Sequence, residues 1–233
     1  MDTTSLENFA MNLKSLPRNH SMMGENQMLK DFGLSDEQVK HEQFVDAKIK
    51  EVEDTFHLIM LAEQFDESII LMKELLCWAE EDVVTFKLNT KEADKKSPLS
   101  EEARSALASW LWADYKLYNY FKSKFQDRLY QFGAERMEEE KLALKSLVSR
   151  TWNNCVETQF SGNSVKDVHS KPYGRDILVQ KLKPGADKDC EYFVMKENLF
   201  VDHLRNIQKD RAAKVLKSTT RNVRIKNSFN MVG

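Results

Sequence analysis

Glycine and proline are scarce in this chain. Seven glycines in 233 residues is about 3%, less than half the usual ~7%, and there are only four prolines. The glycines stand at positions 24, 33, 133, 162, 174, 185 and 233, so neither G-x-G-x-x-G nor G-x-x-x-x-G-K-[ST] occurs, and a phosphate cradle of either kind is excluded. Beside abundant Leu, Lys and Glu, the same scarcity disfavours collagen-like, low-complexity and many-turned all-β chains and points to a helix-rich globule. The three cysteines, Cys77, Cys155 and Cys190, lack C-x-x-C spacing, which argues against a zinc site and leaves at most one disulfide with a free thiol. None of the five histidines has metal-ligand spacing. Long apolar runs are missing too: the first thirty residues hold none of secretory-signal length, and Leu58 to Ala62 and Ile69 to Met72 fall far short of the ~18 residues that cross a bilayer. One N-x-S sequon, Asn19-His20-Ser21, would matter only in a secretory compartment.

A net charge of -2 implies no general attraction to nucleic acid or anionic membrane, but the sum hides an asymmetry. Residues 203 to 228 carry eight Lys/Arg and one acid, Asp210; this stretch is +7 and the remainder -9, an acidic body with a basic tail. Basic residues spread along a terminal helix can bind an acidic partner or merely solvate the helix.

Residues 1–35 read as irregular, broken by Pro17, Gly24 and Gly33. Phe44, Ala47, Ile49 and Val52 recur at helical spacing within Gln43 to Asp54, a surface helix. Phe56 to Leu61 and Val83 to Leu88 read as buried strands flanking a helix over Asp66 to Trp78, which predicts a right-handed βαβ crossover with a parallel pair. Leu107, Trp110, Leu111, Leu117, Tyr118, Phe121, Phe125, Leu129 and Phe132 then mark one long helix with an aromatic face. Ser100 supplies half a capping box for it, and Gly133 is its stop. A more charged helix follows over Glu135 to Arg150. Ile177 to Leu182 and Cys190 to Met195 flank Pro184-Gly185 as a candidate hairpin, and 196 to 217 reads as helical.

Four groups of residues can carry chemistry. Asp114 lies in the aromatic face of the long helix, where an unpaired carboxylate is costly, so it needs a partner, whether for structure or for a site. Glu63, Asp66 and Glu67 follow the first strand, at the carboxyl edge where α/β sheets hold ligands; they would orient a hydroxylated substrate or simply favour the helix start. Lys87, Asn89, Thr90 and Lys91 end the second strand and could hold an anion such as a phosphate, or form an ordinary solvated loop. His57, within the first strand, reads as a core or edge residue rather than a base.

Several ordered stretches resemble one family. Residues 65 to 78 (FDESIILMKELLCW) are similar to the signature helix of the galactose-3-O-sulfotransferases. The asparagine and Phe-Gly turn of Asn26 to Leu34 (NQMLKDFGL), the strand ending in a glutamate of Phe56 to Gln64 (FHLIMLAEQ), and Asp82 to Asn89 (DVVTFKLN) resemble the family in the same order. So do Trp110, Asp114, Leu117, Tyr118 and Phe121, and the following Phe132 to Met137 (FGAERM). The resemblance runs from about residue 19 to residue 150.

The resemblance implies an α/β, helix-rich fold that is part of a sulfotransferase-type parallel-sheet domain with long carboxyl-terminal helices. It implies three regions: the irregular segment 1–35, an α/β core portion over 36–150, and a poorly matched tail over 151–233. It also implies a Golgi enzyme that moves a sulfonate from 3'-phosphoadenylyl sulfate (PAPS), with no metal, to the 3-hydroxyl of galactose in a glycolipid such as galactosylceramide or in a glycoprotein glycan. Glu63 and Asp66 would then face the galactose, while Lys87, Asn89 and Lys91 would lie over the nucleotide. No residue stands out as the catalytic base. The family's membrane anchor and phosphosulfate loop have no counterpart here, so a truncated form matching the carboxyl-terminal half is expected, with little activity on its own. A non-enzymatic remnant, binding an acidic partner through its basic tail, is the competing expectation.

Overall fold

The computed structural model describes residues 3–13, 24–88, 99–165 and 177–229, with side chains described at 6–13, 24–88, 99–165 and 177–215. In chain order the elements are α1 (Thr3–Met11), α2 (Gln27–Asp31), α3 (Glu42–Thr55), α4 (Phe65–Leu76), α5 (Glu101–Trp110), α6 (Trp112–Phe132) and α7 (Ala134–Cys155). They continue with β1 (Val156–Ser161), β2 (Leu178–Leu182), α8 (Asp189–Val194) and α9 (Glu197–Phe229). The described residues are thus helix-rich α/β with one small sheet. The chain divides into two compact units, Met1–Thr85 with Lys91–Thr151, and Phe86–Thr90 with Trp152–Gly233.

In the first unit α6 is the spine. Leu117 and Phe121 in its first half join Leu29 of α2 and Val45, Ile49 and Val52 of α3 in one apolar cluster. Phe125 in its second half joins Ile69, Ile70 and Leu71 of α4 and Met137 and Leu144 of α7 in another. One aromatic stripe therefore serves two cores in succession, which the spacing of three and four requires of a helix packed along its length.

The start of α6 is set by an exchange of caps with α2. The Asn26 carboxamide oxygen accepts from the backbone N–H groups of Ala113 and Asp114, at 3.0 and 3.1 Å. In return the two carboxylate oxygens of Asp114 accept from the N–H groups of Met28 and Leu29, each at 3.0 Å. Each residue thus satisfies orphan donors in the first turn of the other's helix. Both are buried, and Asn26 adopts a left-handed conformation at φ 52°. The buried carboxylate anticipated at position 114 thus has backbone partners rather than a cation.

This exchange also corrects the expectation of one unbroken helix from Ser100 to Phe132. The chain breaks at Leu111, because the amides of Ala113 and Asp114, which would continue the helix to carbonyls four residues back, are taken by Asn26. The half capping box of α5 is completed from a distance. Ser100 Oγ accepts from the Ala103 N–H, and the Glu7 carboxylate of α1 accepts from both the N–H and the hydroxyl of Ser100. Glu7 does what an acid at position 103 would have done. Segment 1–35, expected to be irregular, accordingly holds α1 and α2, each tied to a helix start beyond residue 99.

The parallel pair is a second correction. Phe56–Leu61 is extended, with φ/ψ of -101/125° at Phe56 and -108/124° at Leu61, but it joins no ladder among the described residues. Residues 83 to 88 begin in a 3-10 turn, Glu81–Val83, are extended at Val84, and close with a bond of 2.9 Å from the Leu88 N–H to the Phe86 carbonyl, without a ladder among the described residues. β-prone side chains favour an extended backbone, but a ladder needs a strand alongside, and the apolar neighbours of Leu61 and Val83 are α4, α6 and α7.

In the second unit β1 and β2 pair antiparallel, with Phe160 opposite Val179 and Ser161 opposite Leu178. The expected hairpin between 177–182 and 190–195 is not formed. The turn at Gly185 (φ 75°) leads into α8, whose first turn carries Asp189 and Glu191 where the helix dipole favours acids. A disulfide joins Cys155 to Cys190, and Phe86 packs against Trp152 and Phe193 with ring centroids 5.0 and 4.9 Å apart. Cys77 is free and exposed. The helix expected over 196–217 is present as α9 and runs on to Phe229. The sequon at Asn19 lies outside the described residues.

Replacing Asp114 with Ala removes the acceptor for two buried amides. We expect a loss of about 2–4 kcal/mol, read from the urea midpoint at unchanged m-value, and a smaller loss for Asp114→Asn. An Asp114→Ala midpoint within error of the parent would contradict the assigned role of the exchange.

Candidate functional site

Between the end of α3 and the start of α4 the chain makes a short extended crossing and a single 3-10 turn, Ala62–Gln64. The buried Ser68 hydroxyl holds the crossing in place: it accepts from the Leu61 N–H at 2.9 Å and donates to the Leu61 carbonyl at 3.1 Å. One side chain of α4 thereby closes both backbone groups of the last extended residue, and the turn that follows has little freedom. Glu63 in this turn accepts a hydrogen bond from the Tyr118 hydroxyl of α6. That bond is the main cause holding the Glu63 carboxyl below its ordinary range, and the same bond raises the Tyr118 phenol.

The Glu63–Tyr118 pair borders a groove of about 290 Å³ whose other walls are largely apolar, among them Met28, Phe32, Ile59 and Met60. A charged carboxylate, a phenol and an apolar wall together suit a ligand with hydroxyl groups on one side and C–H groups on another. A second cleft, of about 380 Å³, shares Ile59 and Phe121 with this groove. Beside it, Glu53 accepts from Tyr120 at 2.7 Å and pairs with Lys124 at 2.8 Å and Lys50 at 3.0 Å. Those three partners, Lys124 foremost, push the Glu53 carboxyl down to about 2.

The residues singled out from sequence separate. Glu63 lies on the groove. Asp66 lies in the first turn of α4, exposed, with no hydrogen bond or ion pair among the described residues. Its neighbour Glu67 is bound to Lys141 at 2.9 Å; burial, the largest single influence, works to raise its carboxyl, but the Lys141 hydrogen bond, a backbone hydrogen bond and the Lys141 charge together lower it. Lys87 is exposed at the end of the second extended segment and belongs to the second unit, whereas Glu63 and Asp66 belong to the first. Asn89 and Lys91 lie outside the described residues. By spacing Tyr118 belongs to the aromatic core face, and its hydroxyl makes a contact that periodicity does not register. Among the described residues no group of His, Cys, Asp and Glu could hold a metal ion, and no helix is long and apolar enough to cross a membrane.

Comparison with known proteins adds to this geometry. The family model described as galactose-3-O-sulfotransferase matches residues 4–208. Human "Galactose-3-O-sulfotransferase 2" is 32% identical over 199 residues, 81% of this chain and 50% of that protein. Human "Galactosylceramide sulfotransferase" is 37% identical over 159 residues, 68% of this chain and 36% of that protein. The Bos taurus protein of the latter name is 38% identical over 145 residues, 60% of this chain and 34% of that protein. The chain thus spans between about a third and a half of the length of these relatives. No solved structure matches.

Tyr118→Phe deletes the donor to Glu63 without changing the ring. We expect the Glu63 carboxyl, followed by carbon-detected NMR, to titrate at higher pH than in the parent, nearer the ordinary glutamate range. The sign follows from the bond: it favours the ionised carboxylate, so losing it makes protonation easier as pH falls. A downward or null movement would remove the Glu63–Tyr118 bond from the site.

Proposed function

The chain belongs to the galactose-3-O-sulfotransferase family, and on that premise we propose that it takes part in moving a sulfonate from PAPS to the 3-hydroxyl of a galactose in a glycolipid or glycoprotein glycan. The observation that carries the reading is the Glu63–Tyr118 pair on the apolar groove, inside the span that the family shares. Galactose has hydroxyls that donate to a carboxylate and a C–H face that packs on apolar side chains. Ionised Glu63 would accept from sugar hydroxyls, and the walls beside Met60 and Tyr118 would cover the C–H face. Asp66, exposed one helical turn away, is the second candidate for contact with the sugar.

The described residues do not fit the phosphates of the donor. Of Lys87, Asn89 and Lys91 only Lys87 is among the described residues, exposed and on the second unit. Gly133 precedes α7, but Glu135 places a carboxylate in that helix's first turn, where a phosphate would otherwise be favoured. Its other glycines with positive φ, Gly33 and Gly185, end a helix and make a turn. We assign to these residues the acceptor side of the reaction only, and no proton transfer step. For compartment we propose the Golgi lumen, supported by the Cys155–Cys190 disulfide, since such bonds persist in oxidising surroundings.

Three measurements follow. Saturation-transfer NMR on the 233-residue chain should show methyl β-galactoside contacts that weaken about tenfold with Glu63→Ala, a charge-assisted hydrogen bond's worth. Equal response to methyl β-glucoside, or indifference to Glu63→Ala, overturns the acceptor assignment. Calorimetric titration with the desulfated donor should give affinity weaker than micromolar, and micromolar binding would show that donor contacts had been overlooked in the chain. Iodoacetamide under native, non-reducing conditions should modify Cys77 alone; three modified cysteines would remove the support for an oxidising compartment.

A further inference from the structure

α6 has a second patterned face besides its apolar stripe. Lys124, Asp127, Arg128 and Gln131 recur at three and four residues, and all four border the cleft of about 380 Å³. Glu53 of α3 and Phe56 and His57 of the extended crossing complete the rim, and Phe121 and Phe125 form the buried floor. Two of the four charged groups in this cleft pair with each other. Lys124 pairs with Glu53 at 2.8 Å, and Arg128 donates to the His57 carbonyl. Three polar groups are left without a hydrogen-bond partner among the described residues: the Asp127 carboxylate, the His57 imidazole and the Gln131 amide.

These leftovers specify a ligand class. Lys124 and Arg128 stand against Glu53 and Asp127, so the lining carries no net charge to favour an anion. A carboxylate, an imidazole and an amide together accept from and donate to hydroxyl groups in several directions. The exposed ring of Phe56, 47% accessible, offers an apolar platform beside them. An uncharged, polyhydroxylated ring with one C–H face meets all three conditions, and the volume lies in the range of small-ligand pockets. The cleft also shares two lining residues, Ile59 and Phe121, with the Glu63 groove.

We propose that this cleft is a second sugar subsite, which receives the sugar to which the acceptor galactose is linked. The inference rests on the assignment of the Glu63 groove to galactose. It makes Asp127, Gln131 and His57 specificity-determining residues for acceptors longer than one sugar.

The test compares methyl β-galactoside with a neutral disaccharide carrying galactose at its non-reducing end, both titrated into the full 233-residue chain by NMR. The disaccharide should bind about five- to tenfold more tightly, the gain of a few added hydrogen bonds. Asp127→Asn with Gln131→Ala should erase that gain and leave the monosaccharide affinity unchanged. Both residues are exposed, and an unchanged urea midpoint will confirm that the variant is folded. Equal affinity for the two ligands in the parent overturns the subsite, and so does a disaccharide advantage that survives the double substitution. Failure of methyl β-galactoside itself to bind would overturn the galactose groove, and this subsite with it.

Discussion

Asn26 and Asp114 exchange four backbone hydrogen bonds across two helix starts, and the first unit is organised around that exchange. A helix start leaves donors without partners, and burying such donors is expensive. Here each start solves the other's problem, so neither helix can shift along its axis without orphaning amides at both. The register of α6 is fixed at its first turn, and with it the position of every side chain on the two faces that follow. Phe121 and Phe125 then belong to different cores because they stand one turn apart on a rod whose origin is pinned.

Tyr118 stands four residues beyond Asp114, one turn along the same rod, and this is how a capping contact bears on the site. The Tyr118 hydroxyl meets Glu63 because the rod has a fixed origin and because Ser68 fixes the end of the crossing from the other side. Two buried polar devices, neither touching the groove's ligand space, thus aim a pair made of an exposed carboxylate and a half-buried phenol. The polar stripe of Lys124, Asp127, Arg128 and Gln131 inherits the same alignment.

Much of this was legible in the sequence. Helix periodicity located α3 and α4 within a few residues, the end of α6 and the start of α7, because each has a continuous apolar stripe to bury. The demand that Asp114 find a partner followed from burial alone. The identity of that partner did not, since a cap supplied from 88 positions away leaves no local pattern. For the same reason the break at Leu111 could not be seen. Glu63 was legible as an acid at the end of an apolar run, but Tyr118 was hidden, because its ring obeys the core pattern while its hydroxyl does the binding. Residues 190 to 195 misled because their apolar content suits either strand or helix; the acids at 189 and 191 were the better signal, and their fit to a helix start outweighed strand propensity. The two extended segments show the limit from the other direction: a backbone conformation can be inferred from β-branched and aromatic content, but a ladder depends on what lies beside it.

The long reach of the caps has a bearing on how the chain is made. The contacts between Met28 and Asp114 and between Ser100 and Glu7 close loops of 86 and 93 residues. During synthesis at ~5–20 residues per second, α2 waits roughly 4–17 seconds after it emerges before its capping carboxylate exists. Over that interval a five-residue helix has no means to persist, since short isolated helices are unstable in water. α1 and α2 therefore leave the ribosome early and acquire their structure late, when α5 and α6 arrive to receive them.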